Sequence, residues 1–241
     1  MGFTYIWHNI NLPGKKTLTT LCLIFLALQT SFAQRYSEIN LPNSDNHKLT
    51  YGFVIGIHGS KFRMQHSKYF INTDTLKSVK PLNFPGFSIG FVINKKIADF
   101  FDLRVLPTAG FYENSIEYNY SNSSKTKTAA VTYAELPILI KYKSERRKNF
   151  RMYFVGGLKP AFEVTNKTDD EKDDINVKKT NLSLEYGVGM DIYYPMFKFS
   201  PELRFSQGLV NMIDETSQSK YNKPLSSLKT YSVSLFFNFG S

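Results

Sequence analysis

Leu182-Ser183-Leu184-Glu185-Tyr186-Gly187-Val188-Gly189-Met190-Asp191-Ile192 alternates without a break. Even positions carry bulky apolar or aromatic side chains, and odd positions carry Ser, Glu, Gly, Gly and Asp. A period of two belongs to a strand, because successive side chains point to opposite faces, whereas a helix would recur every 3.6 residues. The stretch is also about the length of a tilted strand that crosses a bilayer, roughly 9 to 11 residues. One face is greasy and the other is small or charged.

The same pattern recurs on both sides of this stretch. Tyr51, Phe53, Ile55 and Ile57 alternate with Gly52, Val54, Gly56 and His58, and Phe87, Ile89, Phe91 and Ile93 with Ser88, Gly90, Val92 and Asn94. Phe101, Leu103 and Val105 oppose Asp102 and Arg104. Leu136, Ile138, Ile140 and Tyr142 oppose Glu135, Lys141 and Lys143. Met152 and Phe154 oppose Arg151 and Tyr153. Towards the end of the chain, Phe197, Phe199, Leu203 and Phe205 oppose Lys198, Glu202 and Arg204, and Tyr231, Val233, Leu235, Phe237 and Phe239 oppose Ser232, Ser234 and Asn238. Helix signals are nearly absent. The count is eight strands.

Alternation alone does not separate a soluble sandwich from a barrel in lipid. The connections do. Segments 61–82, 114–128, 166–179 and 207–227 are long and polar, whereas 94–99, 144–149 and 194–196 are short. Strict alternation of long and short is how a transmembrane barrel lays out outer loops and periplasmic turns, and a Greek-key sandwich has no reason to follow it. Aromatics at Tyr51, Phe100, Tyr142, Tyr193, Tyr194, Phe197 and Phe239 suit interfacial girdles. The final strand, with Tyr231, Phe237 and Phe239, resembles the terminal signal used in barrel assembly. Mean hydropathy of -0.28 excludes a helical membrane bundle but not a barrel, whose two faces cancel in an average. Residues 51–241 are therefore expected to form an all-β, eight-stranded antiparallel up-and-down transmembrane barrel. Pro107, Pro137, Pro160 and Pro201 fall in or near strands of a sheet with no free edge, and are expected at bulges or strand ends.

The inward face sets Asp102, Glu135, Glu185, Asp191 and Glu202 against Arg104, Lys141, Arg151 and Arg204. A barrel of eight strands is only wide enough to be filled by side chains. An unpaired buried charge costs several kcal/mol, so these residues are expected to pair across a plugged lumen rather than line a pore. Glycines at 56, 90, 156, 157, 187 and 189 would thin the inner face beside bulkier neighbours.

Catalytic and metal-binding patterns are weak. His58, Ser60, His66 and Ser67, with His47 before the first strand, show no recognisable spacing, and His58 and His66 lack a third ligand. No catalytic residue, cofactor or metal site is assigned. Bases exceed acids by 10, but they are scattered, so the charge does not point to nucleic acid. The one tight basic cluster is Glu145-Arg146-Arg147-Lys148 in a short turn on the periplasmic side of the expected topology. Arg146, Arg147 and Lys148 are its candidate contacts for an acidic partner.

Residues 1–33 read as a signal peptide, with Lys15 and Lys16, an apolar run from 18 to 28, and Ser31 and Ala33 at the −3 and −1 positions of a small-residue cleavage site. Its removal takes Cys22 and Trp7, the only Cys and Trp, and lowers the excess of bases to 8. Thiol chemistry is then excluded. Residues 34–50 would be a short periplasmic segment before the barrel.

Two resemblances add to this. Tyr133-Ala134-Glu135-Leu136-Pro137-Ile138-Leu139-Ile140-Lys141-Tyr142 resembles the E-x-P-hydrophobic-K-Y signature of a broad outer-membrane β-barrel superfamily. The stretches Leu49-Thr50-Tyr51-Gly52-Phe53, Ser60-Lys61-Phe62, Pro85-Gly86-Phe87-Ser88-Ile89-Gly90-Phe91-Val92-Ile93-Asn94 and Asp99-Phe100-Phe101-Asp102-Leu103-Arg104-Val105-Leu106-Pro107 resemble the PorT (SprT) family. The resemblance runs in order over 41–239, most firmly over 51–142. It implies an outer-membrane protein required for the type IX secretion system and, in gliding species, for motility, with other secretion proteins as partners and no catalytic residues. From the residues themselves, two alternatives stay open: an adhesin or recognition barrel acting through its loops, and a lipid-modifying enzyme.

Overall fold

The computed structural model describes residues 38–67, 76–120, 124–165, 177–213 and 224–240. The segment read as a signal peptide lies outside them. Among the described residues, eleven strands follow a short 3-10 turn, Ser44–Asn46: β1 (Leu49–His66), β2 (Leu76–Leu82), β3 (Phe84–Lys96), β4 (Phe101–Val105), β5 (Thr108–Tyr120), β6 (Ser124–Glu135), β7 (Ile138–Lys143), β8 (Phe150–Glu163), β9 (Thr180–Tyr193), β10 (Lys198–Gly208) and β11 (Leu225–Gly240). Only Asn83 separates β2 from β3, Leu106-Pro107 separates β4 from β5, and Leu136-Pro137 separates β6 from β7. The eleven stretches are thus eight crossings.

All pairings are antiparallel, and the sheet closes. β1 joins β3 on one side and β11 on the other, and β4, β7, β8, β9 and β10 complete the ring. Closure leaves no edge in the hydrocarbon region, where an unpaired backbone group would be costly. The inside-outside assignment holds on every crossing. Phe53, Ile55, Phe87, Ile89, Phe91, Ile138, Ile140, Phe154 and Val188 are exposed, while Val54, Ser88, Arg104, Lys141, Tyr153 and Glu185 are buried.

Of the two placements expected for the prolines, Pro107 and Pro137 take strand ends, between β4 and β5 and between β6 and β7, and neither they nor Pro160 mark a bulge. Pairing of β3 runs from Ile93↔Val105 to Gly90↔Thr108 with no shift of register across Leu106-Pro107. Pairing of β8 likewise passes from Leu158↔Ile138 to Ala161↔Glu135 unshifted. Only donors are lost. The carbonyls of Pro107, Pro137 and Pro160 still accept from the amides of Phe91, Leu106 and Leu136, each at 3.0 Å. The three prolines lie together on neighbouring crossings, so their missing N–H groups share one diagonal seam. Pro201 sits where pairing of β10 with β9 skips from Phe199 to Glu202.

Two connections are corrected. Much of segment 61–82 is strand, with β1 running to His66 and β2 covering Leu76–Leu82, and residues 114–120 and 124–128 are the outer ends of a β5–β6 hairpin, paired without a break from Thr108↔Glu135 to Asn119↔Ser124. Hydroxyls decorate it, as in Ser115 to Thr128 at 2.8 Å. Strand β1, at 18 residues, also exceeds the roughly 9 to 11 needed to cross lipid. Above the membrane nothing requires one greasy face, so the alternation fades although the ladder continues.

The girdle is also revised at one residue. Tyr51, Tyr142, Tyr194 and Phe197 face out, with Tyr194 stacked on Phe197 at 5.0 Å, but Tyr193 is buried at the mouth beside the 144–149 turn. Gly189 lies under the Tyr153 ring, which a Cβ would strike, so the thinned inner face accommodates an aromatic rather than a charge.

Candidate functional site

The lumen is the strongest constellation of chemistry in the chain. Towards the 144–149 turn, Lys143 pairs with Asp102 at 2.7 Å and Lys141 with Asp191 at 2.7 Å, and the Ser200 hydroxyl donates to Asp191 at 2.6 Å. Arg104 pairs with Glu202 at 2.6 Å, and Tyr153 donates its phenol to the same carboxylate at 2.8 Å. Arg204 bridges Glu202 and Glu185, the latter at 3.1 Å. Lys159 then joins Glu185 at 3.3 Å to Glu135 at 3.0 Å, and Tyr112 donates to Glu135 at 2.7 Å. From Arg104 to Tyr112 the chain of contacts is continuous. Charge-assisted bonds of this kind are among the strongest a protein makes, and here each charge has a partner of opposite sign.

Of the nine residues expected in this network, eight are brought together in it. Arg151 is the exception: it is buried at the mouth and pairs with Asp45 at 2.8 Å. Sequence reasoning missed Lys159, Lys143, Tyr153 and Tyr112. Lys143 was on the correct face, and Lys159 was legible in principle from its odd position on β8, in step with Arg151 and Tyr153. Tyr153 could not be ranked above other aromatics without the crossing contacts, which place Lys141 Nζ 3.8 Å from its ring centre. Apolar side chains fill the remaining space, among them Val54, Val92, Leu106, Leu139, Val155 and Phe236. The guanidinium of Arg204 sits 4.2 Å over the Phe236 ring.

The barrel mouth beside the 144–149 turn is closed by the segment before β1. Asn40 donates its amide to Asn149 at 2.8 Å and its side chain to the Tyr193 carbonyl at 2.9 Å. Arg146 donates to the carbonyls of Asn40 and Leu41 and stacks 3.7 Å over the Tyr193 ring. Asp45 accepts from Arg151, lies 3.8 Å from Arg146, and takes the Tyr193 phenol at 3.3 Å. Residues 40–45 are thereby clasped to the 144–149 turn. This changes the meaning of the basic cluster. Arg146 is committed within the chain, whereas Arg147 and Lys148 are exposed, with Lys148 at a positive φ of 55°.

The histidine and serine candidates do not assemble. His58 is buried in the lumen, with its Nδ1 3.3 Å from the Ser88 hydroxyl and its ring stacked at 4.1 Å on Tyr112. It lies eight residues along β1 from His66, about 26 Å at the usual rise. Ser60 is turned to the Glu113 carbonyl at 3.4 Å, Ser67 lies beyond the outer end of β1, and His47 lies at the opposite end of the barrel. Among the described residues no group of three or more His, Cys, Asp or Glu is placed to hold a metal ion.

A closed, lipid-faced ring around a charged interior is the architecture of an outer-membrane barrel, and the sequence agrees: residues 32–214 match the family described as outer membrane protein beta-barrel domain. The chain belongs to that family. As an outer membrane beta-barrel protein it resides in the outer membrane, which it crosses eight times. Among solved structures it is similar to the outer membrane protein OprG of Pseudomonas aeruginosa, at 12% identity over 80% of this chain and 95% of that one, with a TM-score of 0.43. It is similar to Neisserial surface protein A at 11% identity over 78% and 95%, TM-score 0.41. A third is the attachment invasion locus protein Ail of Yersinia pestis, at 12% over 81% and 100%, TM-score 0.35. No curated protein matches the chain.

Proposed function

We propose that this barrel is a structural or assembly component of the type IX secretion apparatus, required for protein export across the outer membrane and, in gliding species, for motility. It works without catalysis. The observation that carries this reading is the sealed lumen: a barrel whose interior is bonded from the Asp45 clasp to Tyr112 contributes surfaces rather than a passage or a reacting group. The resemblance to PorT supports it, with Asp102 and Arg104 of the bonded interior lying in its stretches. The exposed Arg147 and Lys148, on the periplasmic turn, offer contacts for an acidic face of another secretion protein, where several charges together raise the association rate.

Deletion of the gene tests the reading. Cargo proteins should accumulate in the periplasm, and the wild-type chain should restore their export. Replacing Arg147 and Lys148 with Ser, leaving Arg146 to hold the clasp, should reduce export without loss of folded barrel. Normal export after deletion would overturn the assignment. The second reading, a recognition barrel, is favoured by one feature, the β5–β6 hairpin that extends beyond the lipid band to Tyr120 and Ser124. It would be preferred if export is normal and hairpin variants lose a surface-binding phenotype.

A further inference from the structure

The outer surface carries a basic groove that neither the secretion reading nor the barrel fold requires. It lies just beyond the last β10–β11 pair, Gln207↔Tyr231, beside the outer end of β1. Arg63, Lys229, Gln65, Gln207 and Tyr231 line it. Lys61 stands next to it, its ammonium 5.7 Å from the Tyr231 ring centre.

Three observations define what the groove takes. The first is height. On β1 the lipid-facing row is Tyr51, Phe53, Ile55 and Ile57, and it passes through Gly59 to Lys61 and Arg63. On β11 the row Phe237, Leu235 and Val233 passes to Tyr231 and then Lys229, with Lys61 opposite Tyr231 and Arg63 opposite Lys229. The bases therefore stand directly above the apolar band, with a tyrosine at the boundary, at the level of the outer-leaflet headgroups.

The second is sign. Arg63 and Lys229 are direct cross-strand partners of like charge, an arrangement that destabilises a sheet unless an anion lies between them. No acidic residue lines the groove among the described residues. On another part of the wall, in contrast, Lys80 of β2 faces Glu117 of β5, so a base at the outer end is compensated there. The third is side-chain chemistry: guanidinium, ammonium and carboxamides all present donors, which suits phosphate oxygens.

We infer that this groove binds a phosphorylated glycolipid headgroup of the outer leaflet, seating its phosphates between Arg63, Lys229 and Lys61 with its acyl chains against the apolar rows below. A soluble anion would not use those rows, and a protein partner would not require the site to sit at headgroup height.

The full chain, refolded in detergent, is titrated with bisphosphorylated lipid A and with lipid A stripped of both phosphates. Each basic residue near an anionic surface is worth roughly a fivefold gain in binding, so Lys61→Ser, Arg63→Ser and Lys229→Ser together should weaken lipid A binding about 100-fold. Stripping the phosphates should weaken wild-type binding similarly and change the triple variant little. Arg63→Gln alone should cost about fivefold, while Lys125→Ser, an exposed base on the β5–β6 hairpin, should leave binding unchanged. Heat-modifiable gel mobility confirms folding of each variant. Wild-type affinity in the folded triple variant, or equal binding of the stripped lipid, would overturn the inference. Displacement of lipid A by inorganic phosphate would overturn it as well, assigning the groove to a soluble anion.

Discussion

Below Tyr112 the barrel interior is held by ion pairs, and at its outer end by an apolar cluster of Phe62, Val79, Ile116, Tyr118, Val177, Met212, Ile213, Leu225 and Leu228. The two regions draw on different strands: the ion pairs come from β4, β6, β7, β8, β9 and β10, the cluster mainly from β1, β2, β5 and β11, and only β5, with Tyr112 below and Ile116 and Tyr118 above, serves both. On β1, Phe53, Ile55 and Ile57 point outward, yet five residues on Phe62 points inward and Lys61 and Arg63 take the outer face. On β11, Leu235 points outward and Leu228 inward. Within lipid the greasy face must be the outside, and the polar residues are driven into a lumen too narrow to leave them unpaired. Above lipid the wall is wet, and the apolar side chains turn inward as in any soluble core. The inversion between Ile57 and Phe62 marks the upper membrane boundary in the sequence.

The sharpest way to break this comparison is to remove the carboxylate that serves two guanidiniums. Glu202→Ala leaves Arg104 and Arg204 buried without their shared partner and should destabilise the barrel by ~3 to 5 kcal/mol. Refolding titrations in detergent or lipid check it. A loss below ~1 kcal/mol would mean that water reaches the lower lumen and screens its charges.

The lipid-facing side should respond next most strongly. Val188→Arg, in the middle of the outward row of β9, should cost ~2 to 4 kcal/mol, whereas Ser183→Ala on the inward face of the same strand should cost about 1 kcal/mol or less. The reverse order in refolding measurements would invert the assignment of the two faces. Gly187 is unsuitable as the inward comparison, because a Cβ there would strike the Leu203 carbonyl of β10.

Whether the two plugs act in series is a separate matter. Wild-type protein should give no stable conductance steps in planar bilayers. Leu228→Ala, which opens space in the outer cluster, should stay closed, because the chain of contacts from Arg104 to Tyr112 blocks the lumen beneath it. Steady steps from that variant alone would make the apolar cluster the only seal.

How much of this was legible follows from the same boundary. Inside the membrane, lipid outside and a crowded interior constrain every residue, so parity alone placed Glu185, Asp191, Glu202 and Arg204 in one lumen. Which acid meets which base was not legible, since register is set across strands far apart in sequence: Arg104 reaches Glu202 over 98 positions. Beyond the membrane the constraint lapses. The outer part of the β5–β6 hairpin sets an inward Ile116 and Tyr118 among Ser, Asn, Lys and Thr, a pattern too short and polar to separate a strand from a loop, and the inward turn of Phe62 and Leu228 carries no periodic signal. The prolines were legible as exceptions, but not their placement on one seam, which depends on three crossings lying side by side.

The smallest expected effect concerns the clasp at the mouth, and it tests whether the lower region ends at the barrel rim or includes residues 40–45. Asp45 is about a third exposed, so its pairs with Arg151 and Arg146 are screened, and Asp45→Asn should cost less than ~1 kcal/mol of global stability. Locally the change should be larger. Asp45 ties the segment to Arg151, Arg146 and Tyr193 at once, and its loss should raise hydrogen exchange at the amide of Asn40, which is bonded to Asn149 in the folded chain. Exchange at β9 amides inside the ring should not change. If Asn40 stays as protected as in the wild type, the bonds from Arg146 to the carbonyls of Asn40 and Leu41 hold the segment without the carboxylate, and the clasp is a backbone device rather than an ionic one.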